Sequence, residues 1–262
     1  MKIPKIGIPF WRMGDNSLGV TLPYYTYFER FGYIVVLNPM VEPNQELYTD
    51  IDLLVLPGGA DILPERYNHM PSLFTGKPDL IKDYFDMHVL PRYIADTDIP
   101  IFGICRGFQS IAVHFGYPLI QDMYHETNKP DKRWENVHKL SVNSAFVEEM
   151  AKFNEKIEDN SDKIYDSLYN IKLPFNREYD KIKKRNLITF SVNSLHHQAV
   201  SSTQIEEDKS FNIIAKYQGA FAPFIEAMVS EDSRIAGVQY HPEELFDEPI
   251  AKYLIYKLLY KV

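Results

Sequence analysis

One stretch limits the fold more than any other. Residues 99–104 form a short apolar run of the kind that makes a fully buried strand. The run passes straight into Gly103-Ile-Cys105-Arg-Gly107, and residues 107–115 then show helical spacing closed by Gly116. This is the Gly-x-nucleophile-x-Gly elbow, with Cys in place of Ser. The nucleophile of such an elbow sits on a sharp, strained turn, so its flanks must lack side chains to let neighbouring backbone approach. The turn also sets the sulfur at a helix N-terminus, where unpaired N–H groups and the helix dipole favour a thiolate. A lone buried cysteine is otherwise an ordinary core residue. Strand, paired glycines and helix together set Cys105 apart.

The rest of the chain repeats the strand-then-helix alternation. Buried-strand runs occupy residues 5–9, 33–37 and 52–56, and helical spacing occupies 23–31, ending at Gly32, and 79–95, where Pro91 is placed to kink it. Further strand runs follow at 188–192, 212–217, 225–229 and 235–240, before a closing helix at 249–261 with Lys near its end. This order predicts an α/β fold: a three-layer, open, mostly parallel sheet with helices on both faces. A single domain over residues 1–262 is expected, interrupted by a charged insertion at 146–186. That segment reads as a solvated helical insertion, with a lid or a partner surface as the other reading.

Composition narrows the class. The 262 residues carry 28 Lys and Arg against 36 Asp and Glu, a formal charge of −8. That balance argues against nucleic acid as the main partner. The one cysteine excludes a disulfide scaffold and a Cys-rich zinc site, and fits a reducing, cytoplasmic setting. No apolar run approaches the ~20 residues that span a bilayer, and Pro4 and Pro9 interrupt the start of the chain, so neither membrane nor signal peptide is expected. His125, Glu126 and Asp122 lack metal-ligand spacing, and no phosphate loop or dinucleotide fingerprint occurs, so no metal and no cofactor are expected.

A thiolate nucleophile needs a base and a group that orients the base. Gly237-Val-Gln-Tyr-His241-Pro-Glu243-Glu244 offers both, because residues two apart in extended chain share a side. Glu244 reads as solvated. The segment Leu53-Leu-Val-Leu-Pro-Gly58-Gly59-Ala-Asp61 ends a strand in paired glycines. Backbone N–H groups freed there can stabilise an oxyanion, and Arg106, next after the cysteine, offers a second. Taken singly, a His before Pro reads as a surface turn and a Gly pair as an ordinary strand end.

These stretches, with VNSLHHQAV (192–200) and IEAM (225–228), occur in one order along the chain. In that order they resemble the class I glutamine amidotransferase-like family, whose core is flavodoxin-like. More narrowly the chain is similar to the free-standing γ-glutamyl hydrolase branch, peptidase family C26, which includes the γ-glutamyl-γ-aminobutyrate hydrolases. The likeness runs from LPGGADILPERYN (56–68) through GICRGFQSIAV (103–113) to GVQYHPE (237–243).

The resemblance implies a catalytic triad of Cys105, His241 and Glu243, with an oxyanion hole from the amides of Gly59 and Arg106. It implies that Gln109, Asn193, Ser194 and His196 border the glutamyl site, and it sets His138 near that site. His197 stands where relatives often have Gly. The implied reaction is cleavage of a small-molecule γ-glutamyl amide to glutamate and an amine through a thioester on Cys105, without a cofactor. Two alternatives stay open: a glutaminase component feeding ammonia to a separate synthetase, and a non-catalytic binding module on the same fold. A homo-oligomer also stays open.

Overall fold

The computed structural model describes residues 2–14, 17–123, 137–159, 187–202, 205, 210–217, 223–245 and 248–261. The first half runs β1 (Lys5–Pro9), β2 (Trp11–Arg12), β3 (Leu18–Gly19), α1 (Leu22–Phe28), β4 (Tyr33–Leu37) and β5 (Leu53–Leu56). Next come α2 (Leu80–Tyr84), a π-helical turn (Phe85–Val89), α3 (Leu90–Asp96), β6 (Ile101–Ile104), α4 (Arg106–His114) and β7 (Leu119–Ile120). The second half holds β8 (Val137–Asn143), α5 (Ser144–Asp159), β9 (Leu187–Asn193), β10 (Ala199–Ser201), β11 (Phe211–Tyr217), β12 (Phe224–Ser230), β13 (Ile235–Val238) and α6 (Pro249–Tyr260).

The sheet follows the order β4-β1-β5-β6-β13-β12-β11-β8-β9. From β4 to β13 the pairs are parallel; from β13 to β9 they are antiparallel. The parallel sheet expected from the sequence is thus the half that carries the cysteine, and the later strands extend it. Side chains of β5 show why this half is buried on both faces. Leu53 and Val55 join one core with α1, α5 and α6, while Leu54 and Leu56 join another with α3 and α4. Period-two alternation with every residue apolar is the mark of a strand covered on both sides.

Glycine at 107 lets the elbow helix settle on the sheet. A Cβ there would stand 2.1 Å from the Leu56 carbonyl oxygen, so no other residue lets α4 lie this close to β5.

Several boundaries differ from the sequence reading. Helix α1 stops at Phe28 rather than at residue 31, and Gly32 does not cap it. A turn with Phe31 N–H donating to Phe28 O (2.9 Å) carries the aromatic pattern onward, and Phe31 stays in the core. The 79–95 helix is α2 and α3 joined by a π turn, and Pro91 falls at the start of α3. A proline has no N–H for the helical ladder, so the register shifts just before it. The segment from 146 onward is not solvated at its start: Phe146, Val147, Met150 and Phe153 form an apolar stripe of α5 packed in the core beside Tyr253 and Tyr256. Residues 160–186 of that segment lie outside the described residues. Among the described residues no helix is long and apolar enough to cross a membrane.

Candidate active site

Strand β6 delivers Cys105 to the carboxyl edge of the sheet, where α4 begins. Its backbone is at φ 50°, ψ −107°, a positive-φ conformation that a residue with a Cβ seldom takes. The turn is held at both ends. Cys105 N–H donates to Val238 O at 2.9 Å, and Cys105 O accepts the Gln109 N–H at 3.0 Å. The turn makes Cys105 the N-cap of α4, the end of a helix where the first amides have no partner within the helix.

His241 follows β13, the neighbour of β6. Its Nδ1 lies 2.6 Å from Glu243 Oε1, which leaves Nε2 as the nitrogen that can serve the sulfur of Cys105. The His–Glu contact does not arise from extended chain as the sequence suggested. Pro242–Glu244 is a single 3₁₀ turn, which folds the carboxylate back onto the ring. Burial alone would push the imidazole pKa down. Charge and hydrogen bonding from Cys105, and then from Glu243, outweigh burial and raise it to about 11. At neutral pH the ring keeps its proton, beside the sulfur. Glu244 is exposed, as expected.

Gly58 is the floor between the two. A Cβ there would meet His241 Cε1 at 2.7 Å and the Tyr24 hydroxyl at 3.0 Å, and would stand 3.4 Å from Cys105 Cβ. The Gly58 N–H donates to Tyr24 Oη at 2.8 Å, which leaves the hydroxyl proton to face Glu243. Burial, then the Glu243 charge, holds the Tyr24 phenol well above its usual range, so it remains a donor. Of the two glycine amides, therefore, only that of Gly59 has no partner among the described residues.

The Arg106 side chain was not singled out by sequence reasoning, which used only its amide. The guanidinium is 2% exposed, and its Nη2 donates to Asp83 Oδ1 and Asp86 Oδ2, both at 2.7 Å. Nη1 donates to the carbonyls of Ala60 (2.6 Å) and Asp61 (2.9 Å). One side chain thus ties the loop after Gly59 to the elbow helix and to the 80–86 segment. The signal was present as two acidic residues one turn apart in KDYFD, a spacing that puts both on one helix face.

The residues expected to border the glutamyl site fall into two groups. Asn193 grips the His241 backbone: its Oδ1 accepts from His241 N and its Nδ2 donates to His241 O, both at 2.9 Å. Its amide is spent on holding the histidine. Gln109 is buried, and its Nε2 donates to Gln198 O (3.0 Å) and Gln239 Oε1 (3.1 Å), so only its carbonyl oxygen is left for a ligand N–H. Ser194 and His196 are buried, and neither Ser194 Oγ nor His196 Nε2 finds a hydrogen-bond partner among the described residues. His197 spends its Nε2 on Asp61, 3.0 Å from each carboxylate oxygen, and bridges the loop after β9 to the loop after β5.

His138, His196 and Glu226 are the cluster that could be considered for a metal, with candidate ligand atoms within 4.8 Å of one another. Two ligands on one tetrahedral ion with bonds of about 2.0 Å stand roughly 3.3 Å apart. His138 Nδ1 and Glu226 Oε1 are 2.6 Å apart, a hydrogen bond rather than a coordination shell. Burial pushes His196 down to about 4, which keeps its ring neutral at pH 7, and lifts the Glu226 carboxyl to about 7. His125, Glu126 and Trp134 lie outside the described residues.

The Asn193 clamp makes a clear expectation. Asn193→Ala leaves the His241 backbone unpaired and lets the ring drift from the sulfur. A displacement near 1 Å costs about 100-fold in rate. The variant should therefore keep the substrate KM and lose kcat, with its melting temperature close to that of the parent; steady-state kinetics checks this.

The Peptidase C26 family model matches residues 11–243. The chain belongs to this family. A glutamine amidotransferase-like protein of Lactococcus lactis (YvdE) is 27% identical over 250 residues, covering 92% of this chain and 89% of the relative. A glutamine amidotransferase-like protein of Rickettsia prowazekii is 30% identical over 251 residues, covering 84% and 80%. Among solved structures, a GMP synthase component of Thermoplasma acidophilum aligns with a TM-score of 0.55 at 19% identity, covering 99% of this chain and 94% of that one. That likeness is one of fold. Membership of the Peptidase C26 family, with these relatives, supports a glutamine amidotransferase-type hydrolase.

Proposed function

We propose that this chain is a cysteine hydrolase that cleaves the γ-amide of a small γ-glutamyl compound, releasing glutamate and an amine. The observation that carries the reading is the joint placement of Cys105 on a strained elbow, the His241 ring beside it across Gly58, Glu243 behind the ring, and a Gly59 amide that has no partner among the described residues. In the first half-reaction Cys105 Sγ bonds to the γ-carbonyl carbon, and the thiol proton resides on His241 Nε2. The carbonyl oxygen becomes an oxyanion held by the Gly59 and Arg106 amides; each such donor is worth about 3 kcal/mol of barrier. The C–N bond then breaks, and the departing amine takes the proton from His241. In the second half-reaction water attacks the thioester and gives a proton to His241. The C–S bond breaks, the sulfur recovers the proton, and glutamate leaves. Glu243 keeps the ring in the orientation that serves both steps.

The test is a panel of γ-glutamyl amides, L-glutamine included, with glutamate release as readout, beside labelling by a diazoketone analogue of glutamine. Glutamate release together with a single adduct on Cys105 is the expected result. An unlabelled Cys105 with no hydrolysis favours a binding module instead.

A second reading has its own support. A glutamine-hydrolysing GMP synthase component of Thermoplasma volcanium is 33% identical to this chain over 79 residues, 30% of its length. Under that reading ammonia goes to a separate synthetase. Glutaminase activity that stays low until a synthetase is added would favour it; full activity on amides without a partner favours the hydrolase.

A further inference from the structure

Lys82 is out of place for a lysine. It is 7% exposed, and among the described residues the one hydrogen bond of its ammonium is a long one, Nζ donating to Pro57 O at 3.4 Å. Among those residues no carboxylate lies within ion-pair distance of it. Its nitrogen instead sits 4.4 Å from the centre of the Trp11 ring, a cation–π contact. Its stem lies on Gly59, where an added Cβ would be 2.6 Å from Cε and 3.3 Å from Nζ. A buried cation without a partner anion costs stability, and an apolar side chain of like volume would serve the packing better. Positions of this kind are retained where a negative charge arrives.

The peptide between Pro57 and Gly58 is gripped on both sides. Lys82 donates to its carbonyl, and the Tyr24 hydroxyl accepts from its N–H. The next amide is that of Gly59. We propose that Lys82 is a positioning residue of the oxyanion hole: its ammonium fixes the turn that presents the Gly59 N–H and sets an unneutralised positive charge beside the oxygen that becomes negative. This rests on the hydrolase reading above and adds to it a residue outside the Cys–His–Glu set.

The charge on Lys82 is poised to change near neutrality. Burial, then the Arg106 charge, lowers its pKa to about 7, against the opposing pull of Asp86, Asp79 and Cys105. These charged groups face it from α4, the π turn, the cap of α2 and the elbow, and from β2 the Trp11 ring lies against it. The ammonium is present below about pH 7 and is lost above it. Because kcat/KM reports the free enzyme, the wild-type kcat/KM should fall as pH rises through this range.

The experiment compares the wild type, Lys82→Met and Lys82→Arg on L-glutamine or the best amide of the panel, from about pH 5.5 to 9, with melting temperatures. Lys82→Met keeps the stem on Gly59 and removes the charge. It should lower kcat about 10- to 100-fold, an effect of the size of a weakened oxyanion donor. Its KM should stay within about threefold, its pH limb should vanish, and its melting temperature should hold or rise. Lys82→Arg keeps a charge that does not titrate in this range. It should retain more of the rate than Lys82→Met and show no fall up to about pH 9. A Lys82→Met enzyme with wild-type kcat overturns the inference, as does a Lys82→Arg enzyme that keeps the limb at the wild-type pH. Equal losses in both variants with lowered melting temperatures mean a structural role and also overturn it. Absence of any wild-type hydrolysis, with Cys105 unlabelled, defeats the hydrolase reading itself and is seen before a variant is made.

Discussion

Cys105→Ala is expected to lose turnover on γ-glutamyl amides by at least about 10⁴-fold while keeping the wild-type melting temperature. The size follows from what the substitution removes. Without sulfur there is no acyl-enzyme, and the residual rate comes only from substrate binding and the oxyanion amides, which in other triad hydrolases leave a rate some 10³–10⁴-fold above water. The fold should not suffer. Alanine takes up less space at a site held by two backbone bonds, from Cys105 N–H to Val238 O and from Gln109 N–H to Cys105 O, and both survive the change. A residue at φ 50° is strained whether its side chain ends in sulfur or hydrogen, so no new cost arises there. The decisive measurement is single-turnover glutamate release by quenched mass spectrometry, with a thioester adduct in the wild type and none in the variant. A Cys105→Ala enzyme that still hydrolyses at near-normal rates would mean that the reaction runs elsewhere.

Much of this site was legible in the sequence because its parts are local. The elbow is five residues long, and each of its properties has a local cause: the strand before, the close approach at Gly107, the helix after. The His241–Glu243 pair is likewise local, although the chain makes it through a 3₁₀ turn and not in extended form. The buried runs in β1, β5 and β6 announced a sheet covered on both faces, whereas 33–37, read the same way, is the edge strand β4, with Tyr33 and Val36 exposed. What could not be read was contact across the sequence. Asn193 looks like any residue of a binding loop until β9 is seen to end beside the His241 backbone. Lys82 and Arg106 are charged residues, and their burial depends on α2, the π turn and β5 meeting around them. Strand β10 and the β2–β3 pair are two or three residues long, too short for any periodicity to register.

Arg106→Leu should have the largest effect on stability of any change near the site. The guanidinium joins Asp83, Asp86 and the carbonyls of Ala60 and Asp61. Asp83 itself is 5% exposed on its side chain, and its second oxygen is buried without a partner among the described residues. Leucine fills most of the volume but leaves a buried carboxylate and two carbonyls with nothing to accept from. Breaking a buried ion pair by removing one partner costs about 3–5 kcal/mol. A domain holds only about 5–15 kcal/mol in total, so the variant loses a large share of its stability, and its urea midpoint should drop by about 1 M or more. Arg106→Lys keeps one charge but not the fork that serves two carboxylates and two carbonyls at once. It should lose less stability, yet leave the 57–61 loop untethered and kcat lowered, because the Gly59 amide depends on that loop for its aim. The two variants therefore separate what the charge does from what the geometry does. If Arg106→Leu unfolds within about 1 kcal/mol of the parent, the loop is held by something other than this side chain, and the oxyanion amides need a different explanation for their order.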